Sequence, residues 1–93
     1  MTLVQLKHFI ELANNGSFSQ SADKLHLTQP ALSRSIKALE DELGQALFDR
    51  IGRRNELTAF GAQIVQRARV LVDEADELRR TGKKAPSDIC TVA

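Results

Sequence analysis

A single cysteine serves the whole chain, and its position at Cys90 in the tail leaves no partner for an intramolecular disulfide and no thiolate cage for a metal. Long apolar runs are missing as well. No stretch approaches the roughly twenty apolar residues that span a bilayer, and the N-terminus has no charged segment followed by an apolar run. The expected location is therefore the cytoplasm. Catalytic constellations are missing too: Ser, His and Asp occur, but no nucleophile motif or glycine-rich phosphate loop accompanies them. His8 and His26 have no third ligand at metal-binding spacing, so neither enzymatic activity nor a metal or cofactor site is expected. Asn15-Gly16-Ser17 has the form of a glycosylation acceptor but is better explained as one helix stopping and another starting.

An excess of one charge is the remaining absence. Thirteen basic residues against twelve acidic ones leave a net charge of +1, poor support on its own for a nucleic-acid partner. Distribution matters more than the total. Asp73, Glu74, Asp76 and Glu77 crowd one late segment, which leaves Lys24, Arg34, Lys37, Arg50, Arg53 and Arg54 to dominate the first two thirds. At 93 residues there is room for one small domain, and such domains are marginal without a metal, disulfides or a partner subunit. With the first two removed, association is the expected source of help.

Thr2 and Gln5 form a capping box, and Leu3, Leu6, Phe9, Ile10 and Ala13 then recur at helical spacing until Asn14, Asn15 and Gly16. Ser17 and Gln20 form a second box ahead of a short helix with Phe18, Ala22 and Leu25 on one face. Thr28 is an N-cap, Pro30 is tolerated in a first turn, and Gly44 is a C-terminal stop, which predicts a third helix over 29–43. Its stripe Leu32, Ile36, Leu39, Leu43 faces inward. Residues 47–58 carry Gly52 between two short segments with apolar residues and predict a hairpin. Thr58 caps a long fourth helix, expected to end near Gly82, in which Phe60, Ile64, Ala68, Leu71, Ala75 and Leu78 repeat at spacings of three and four.

Two helices joined by a tight turn, the second with a capped and polar start, is the plan of a helix-turn-helix whose second helix enters the major groove. At about 100° per residue, Pro30, Arg34 and Lys37 point away from the apolar stripe, with Ser33 beside them and Thr28 and Gln29 leading. Gln can pair with adenine, Arg and Ser can reach bases or phosphates, Lys suits phosphate, and Pro suits a thymine methyl. Glu40, Asp41 and Glu42 follow and would be repelled by phosphate, confining contact to the first two or three turns. A solvated polar face is the other reading of this pattern. Arg50, Arg53 and Arg54 surround the hairpin tip, where they suit a phosphate backbone or a narrow minor groove, or else a solvated turn. Along the fourth helix, Ile64, Ala68, Leu71, Ala75 and Leu78 offer a seam to a second copy. A helix of about twenty residues is roughly 30 Å long, so its distal half projects beyond the core.

From Leu3 to about Leu78 the chain resembles the DNA-binding segment of LysR-type bacterial transcription regulators. The resemblance rests on Phe9 through Phe18, Ser19 through Leu27, Thr28 through Gly44, Leu47-Phe48-Asp49-Arg50, and Leu57-Thr58 with Gly61. It implies a mainly α winged helix-turn-helix, made of a three-helix core and a small β-hairpin wing over 1–58. A linker helix over 59–82 would pair in a homodimer, and the tail over 83–93, expected to be disordered, would lead into an absent effector-binding domain. It also implies dyad-related operator DNA as partner, with the positions matching Gln29, Pro30, Ser33 and Arg34 facing bases or phosphates and that matching Arg53 in the wing. Small-molecule effectors would act only through the absent domain, and the protein would associate with the bacterial nucleoid when bound. Asn55 stands where the family usually has an apolar residue, which predicts a short or loosely paired wing. The chain is expected to be an excised or truncated fragment. A winged-helix protein-interaction module is the competing function class; it would want apolar anchors where Arg34 and Lys37 stand.

Overall fold

Local capping chemistry sets where each helix begins. The computed structural model describes residues 1–51 and 54–84; Gly52, Arg53 and residues 85–93, with Cys90 and most of the tail expected to be disordered, lie outside the described residues. Thr2 opens α1 (Leu3–Asn15) with a complete capping box, its hydroxyl accepting the Gln5 N–H and Gln5 Oε1 accepting the Thr2 N–H, both at 3.1 Å. At the start of α2 (Phe18–Leu25) only half of the expected box forms. Ser17 Oγ accepts the Gln20 N–H at 3.2 Å, but the Ser17 N–H is donated to Asn15 Oδ1 at 2.9 Å instead of to the Gln20 side chain. Asn15 is closer, and its amide also accepts from the fully buried Ser21 hydroxyl at 2.8 Å. Thr28 caps α3 (Gln29–Leu43) through the Ala31 N–H at 3.2 Å.

The turn between α2 and α3 is built around His26, a residue other than glycine at φ +58°. Leu27 N–H donates to the Ala22 carbonyl at 2.8 Å and His26 N–H to that of Asp23 at 3.2 Å, a Schellman closure that requires the left-handed conformation.

The core lies where α1 crosses α2, α3 and α4. Leu6, Phe9 and Leu12 of α1 meet Ala22 of α2, Leu32, Ile36 and Leu39 of α3, Leu47, and Val65 and Ala68 of α4 (Ala59–Lys84). Phe9 is fully buried and stands edge-on to Phe48, with centroids 5.5 Å apart. The predicted stripe of α3 faces this core as expected, Leu43 being half-buried.

Two strands form the wing: β1 (Phe48–Ile51) pairs antiparallel with β2 (Arg54–Leu57), Phe48 opposite Leu57 and Arg50 opposite Asn55. It is short, as Asn55 suggested, but not loosely held. The Asn55 N–H donates to the Gly16 carbonyl at 3.1 Å, so the outer edge of β2 is tied to the α1–α2 turn. Gly16 serves twice, at φ +72° as the stop of α1 and as the site of the Asn55 contact, where a Cβ would come within 3.3 Å of the Asn55 carbonyl oxygen.

Thr58 carries the chain from the wing into α4. Its N–H donates to the Leu47 carbonyl at 3.0 Å, its hydroxyl donates to the Ala46 carbonyl at 2.7 Å, and the same oxygen accepts the Gly61 N–H at 2.9 Å. A Cβ on Gly61 would overlap the Leu47 carbonyl oxygen. α4 continues to Lys84, two residues past the expected stop, and at about 1.5 Å per residue its 26 residues are roughly 39 Å long in a molecule whose longest extent is 55 Å. No helix among the described residues is long and apolar enough to cross a membrane.

His26 supplies a test of this reading of the turn. A side chain held in the left-handed region costs on the order of 1 kcal/mol, partly offset by the greater chain entropy of glycine. His26→Gly should therefore stabilise the protein by about 0.5 kcal/mol, seen as a higher urea midpoint at unchanged slope. A lower midpoint would mean that the imidazole itself holds the turn.

Candidate nucleic-acid interface

The outward face of α3 presents Gln29, Pro30, Ser33, Arg34 and Lys37, all exposed, with Thr28 exposed at the cap. Gln29, Pro30 and Ser33 line one open groove with Arg50 of β1 and Ser17 and Ser19 at the start of α2. The fold thus brings three of the expected α3 residues beside an arginine of the wing. It adds Ser17 and Ser19, which the sequence reading treated only as helix-start residues. The signal was available: a helix beginning just after Gly16 leaves first-turn N–H groups without intrahelical acceptors, a natural anion-facing edge.

Arg54 extends on the other side of β2, its Nε near Gly16, in a recess with Asn14 and Asn15. Arg50 and Arg54 therefore do not share one surface. Among the described residues, no ion pair engages Arg34, Arg50 or Arg54. Lys37 is different, since its Nζ lies 3.3 Å from Asp41 Oδ1 one turn on. Arg53 falls outside the described residues.

The acids at the end of α3 are not a free repulsive patch, as the sequence suggested. Glu40 Oε2 accepts the Leu47 N–H at 2.7 Å and the Phe48 N–H at 3.4 Å, Asp41 pairs with Lys37, and Glu42 pairs with the Met1 amine. Each is engaged inside the chain, and Glu40 latches the loop that launches the wing.

The stripe of α4 needs a larger correction. Ala68 is 1% exposed, inside the core of its own chain, and Ile64 is half-buried against the same core. Ala68 has no surface to give a partner. The core side of α4 is the line Gly61, Val65, Ala68 and Val72, and at about 100° per residue Leu71 lies about 60° from Ala68 and about 100° from Val72, on a neighbouring flank. Leu71 and Leu78 are 50% and 74% exposed, with Ala75 half-buried between them. Val70, at 59% exposed, joins this surface and was missed because it lies outside the heptad-like count. Met1, and Leu3 and Val4 of α1, are also exposed.

Residues 3–62 of this three-helix, one-wing arrangement match the family described as bacterial regulatory helix-turn-helix protein, lysR family. The chain belongs to the LysR family. An uncharacterised helix-turn-helix regulator from Azotobacter vinelandii is 42% identical over 96% of this chain and 62% of its own length. The SDS degradation transcriptional activation protein of a Pseudomonas strain is 49% identical over 83% of this chain and 25% of its own length. The chain thus spans between a quarter and three fifths of these relatives. Among solved structures, the BenM DNA-binding domain in complex with its catB site 1 DNA superposes with a TM-score of 0.89 at 37% identity, covering 94% of this chain and 97% of that one. The CbnR DNA-binding domain in complex with DNA gives 0.86 at 36% identity, covering 92% and 99%.

In this LysR-family chain α3 is also held from behind. His8 Nδ1 of α1 and Ser35 Oγ of α3 share a hydrogen bond of 2.8 Å, and burial holds the His8 imidazole below its usual pKa. No three His, Cys, Asp or Glu side chains converge on a metal-sized site among the described residues.

Because the folded pKa of His8 is depressed, the unfolded chain takes up the proton first as pH falls through about 6.5. Stability should be fully present above that pH and decline below it, until the folded state is protonated too. Urea titrations at pH 7.5 and 5.5 should show this loss, and His8→Gln should make it smaller. An unchanged pH dependence in that variant would remove His8 from the account.

Proposed function

We propose that this LysR-family chain binds double-stranded DNA sequence-specifically as a transcription regulator, with α3 in the major groove and the wing on the minor groove or the phosphate backbone. The observation that carries the reading is the groove in which Gln29, Pro30 and Ser33 stand beside Arg50 and the start of α2. It places groups able to read base edges next to a cation and a helix N-terminus suited to phosphate. The complexes of the BenM and CbnR domains with DNA support it on a backbone of the same shape. Thr28, Gln29, Pro30, Ser33 and Arg34 are assigned to the major groove. Lys37, Arg50, Arg53 and Arg54 are assigned to phosphate or the wing contact.

The working form is a homodimer on dyad-related half-sites, joined through α4 by Leu71 and Leu78 with Val70, Ile64 and Ala75 at the margins. Exposed apolar side chains of this size on a projecting helix gain most from burial against their own copies. The protein acts in the cytoplasm, associated with the nucleoid when bound, without catalysing a reaction. Small-molecule effectors reach it through a further domain of the kind its longer relatives have room for.

Selection from a random duplex pool supplies the site for two tests. Gln29→Ala should lose about 1–3 kcal/mol on the selected duplex and leave random-duplex affinity unchanged, read by fluorescence anisotropy. Equal losses on both would assign Gln29 to the backbone, and no loss on either would remove α3 from base reading.

Leu71→Asp should leave the far-ultraviolet spectrum intact, because Leu71 is already half exposed, and abolish the dimer through buried unpaired carboxylates. Affinity for a two-half-site duplex should fall to that for one half-site. A wild-type chain that sediments as a monomer both alone and on DNA would overturn the dimer.

A further inference from the structure

The turn that ends α1 is bonded to three other elements at once. Asn14 Oδ1 accepts from Arg69 Nη2 of α4 at 2.8 Å; Asn15 Oδ1 accepts from Ser17 and Ser21 of α2; and the Gly16 carbonyl accepts from Asn55 of the wing at 3.1 Å. α1 and α4 run antiparallel here, since Lys7 faces Asp76 at 3.9 Å while Asn14 faces Arg69. Two consecutive residues, Asn14 and Asn15, thus join the projecting helix to the elements that line the candidate DNA groove.

α4 is anchored at its base by Thr58 and Gly61 against the Ala46 and Leu47 carbonyls. Beyond that it packs through Val65, Ala68 and the half-buried Val72, and the exposed Lys7–Asp76 pair at 3.9 Å is a looser contact than the Arg69–Asn14 hydrogen bond at 2.8 Å. Apolar contact is non-directional, and an alanine on the contact line permits small rotations at little cost. A hydrogen bond to a fixed asparagine is directional. We infer that Arg69, through Asn14, is a positioning residue that fixes the angle between α4 and the DNA-reading head and so sets the half-site separation the dimer accepts. The inference rests on the dimeric DNA-binding reading above.

Leverage makes a weak exposed bond matter. From Arg69 to Lys84 is roughly 22 Å at about 1.5 Å per residue, so a tilt of about 10° moves the distal end by about 4 Å. That is close to the rise of roughly one base pair. Arg69 also lies about 160° around the helix from Leu71, on the side away from the proposed partner face. Its substitution therefore leaves that face untouched.

The test compares affinities for duplexes carrying two selected half-sites whose separation is varied one base pair at a time. The wild type should show a sharp optimum. Arg69→Ala and Asn14→Ala should each keep the circular dichroism spectrum, the sedimentation behaviour and single-half-site affinity within about twofold, while the optimum flattens by roughly threefold or more against its neighbours. The double variant should be no flatter than either single one, and Asn14→Asp, which keeps an acceptor, should retain the wild-type profile. A sharp optimum unchanged in Arg69→Ala would overturn the inference alone. Equal loss on single half-sites would also overturn it, making Arg69 a phosphate contact. A wild type with no optimum at any separation would overturn the dimeric reading and this inference with it.

Discussion

The contact between Gly61 and the Leu47 carbonyl decides how the two halves of the chain are laid together. Leu47 is fully buried, its N–H is held by Glu40 and its carbonyl accepts from Thr58, so the peptide on either side of it cannot shift. α4 can start only where its third residue has no side chain. Once it starts there, Val65 and Ala68 fall on α1 and close a core that α1, α2 and α3 leave open. The wing follows from the same loop, because Glu40 also receives the Phe48 N–H and Phe48 stacks edge-on with Phe9. A small domain with no disulfide depends heavily on such closure.

Near-neutral charge is compatible with an anionic partner because the acids closest to the outward face of α3 are paired within the chain. Glu40, Asp41 and Glu42 each have a partner at the end of α3, and Asp76 and Glu77 pair with Arg79 and Arg80 in the distal part of α4. The first turns of α3 present Arg34 with no acid among them, and β1 presents Arg50 next to the exposed Asp49. Surface pairs of this sort add little stability. Their effect is on the field that an approaching polyanion meets, which the net charge of the chain conceals.

Helix boundaries were legible because each rests on a few adjacent residues: Thr2 with Gln5, Thr28 with Ala31, and Gly16 and Gly44 in the left-handed region. The outward residues of α3 were legible for a related reason, since one apolar stripe fixes the opposite side of a single helix. What distance along the chain hides was not. Nothing in the order of residues shows that Asn15 outcompetes Gln20 for the Ser17 N–H, that Asn55 docks on Gly16, or that Arg54 turns away from Arg50. The seam of α4 was misjudged at Ala68 because a period of three and four describes both a helix packed on its own domain and one packed on a copy. Val65, Ala68 and Val72 do the first, while Leu71 and Leu78 are turned away from that line on another flank.

That turning gives α4 a rotational phase as well as a length. Between Ala68, sealed in the core, and Leu71 and Leu78, exposed on the flank, every residue contributes about 100° of rotation. One inserted residue in this interval would swing the distal apolar side chains roughly a quarter-turn around the axis and bring Glu74 and Glu77 into the places of Ala75 and Leu78. Seven inserted residues would restore the azimuth to within about 20° and push the outer face about 10 Å farther from the head. Relatives that differ in the length of this helix are thereby expected to differ by near-whole numbers of turns, such as about seven, eleven or eighteen residues, with operator geometry changing in steps of the same size.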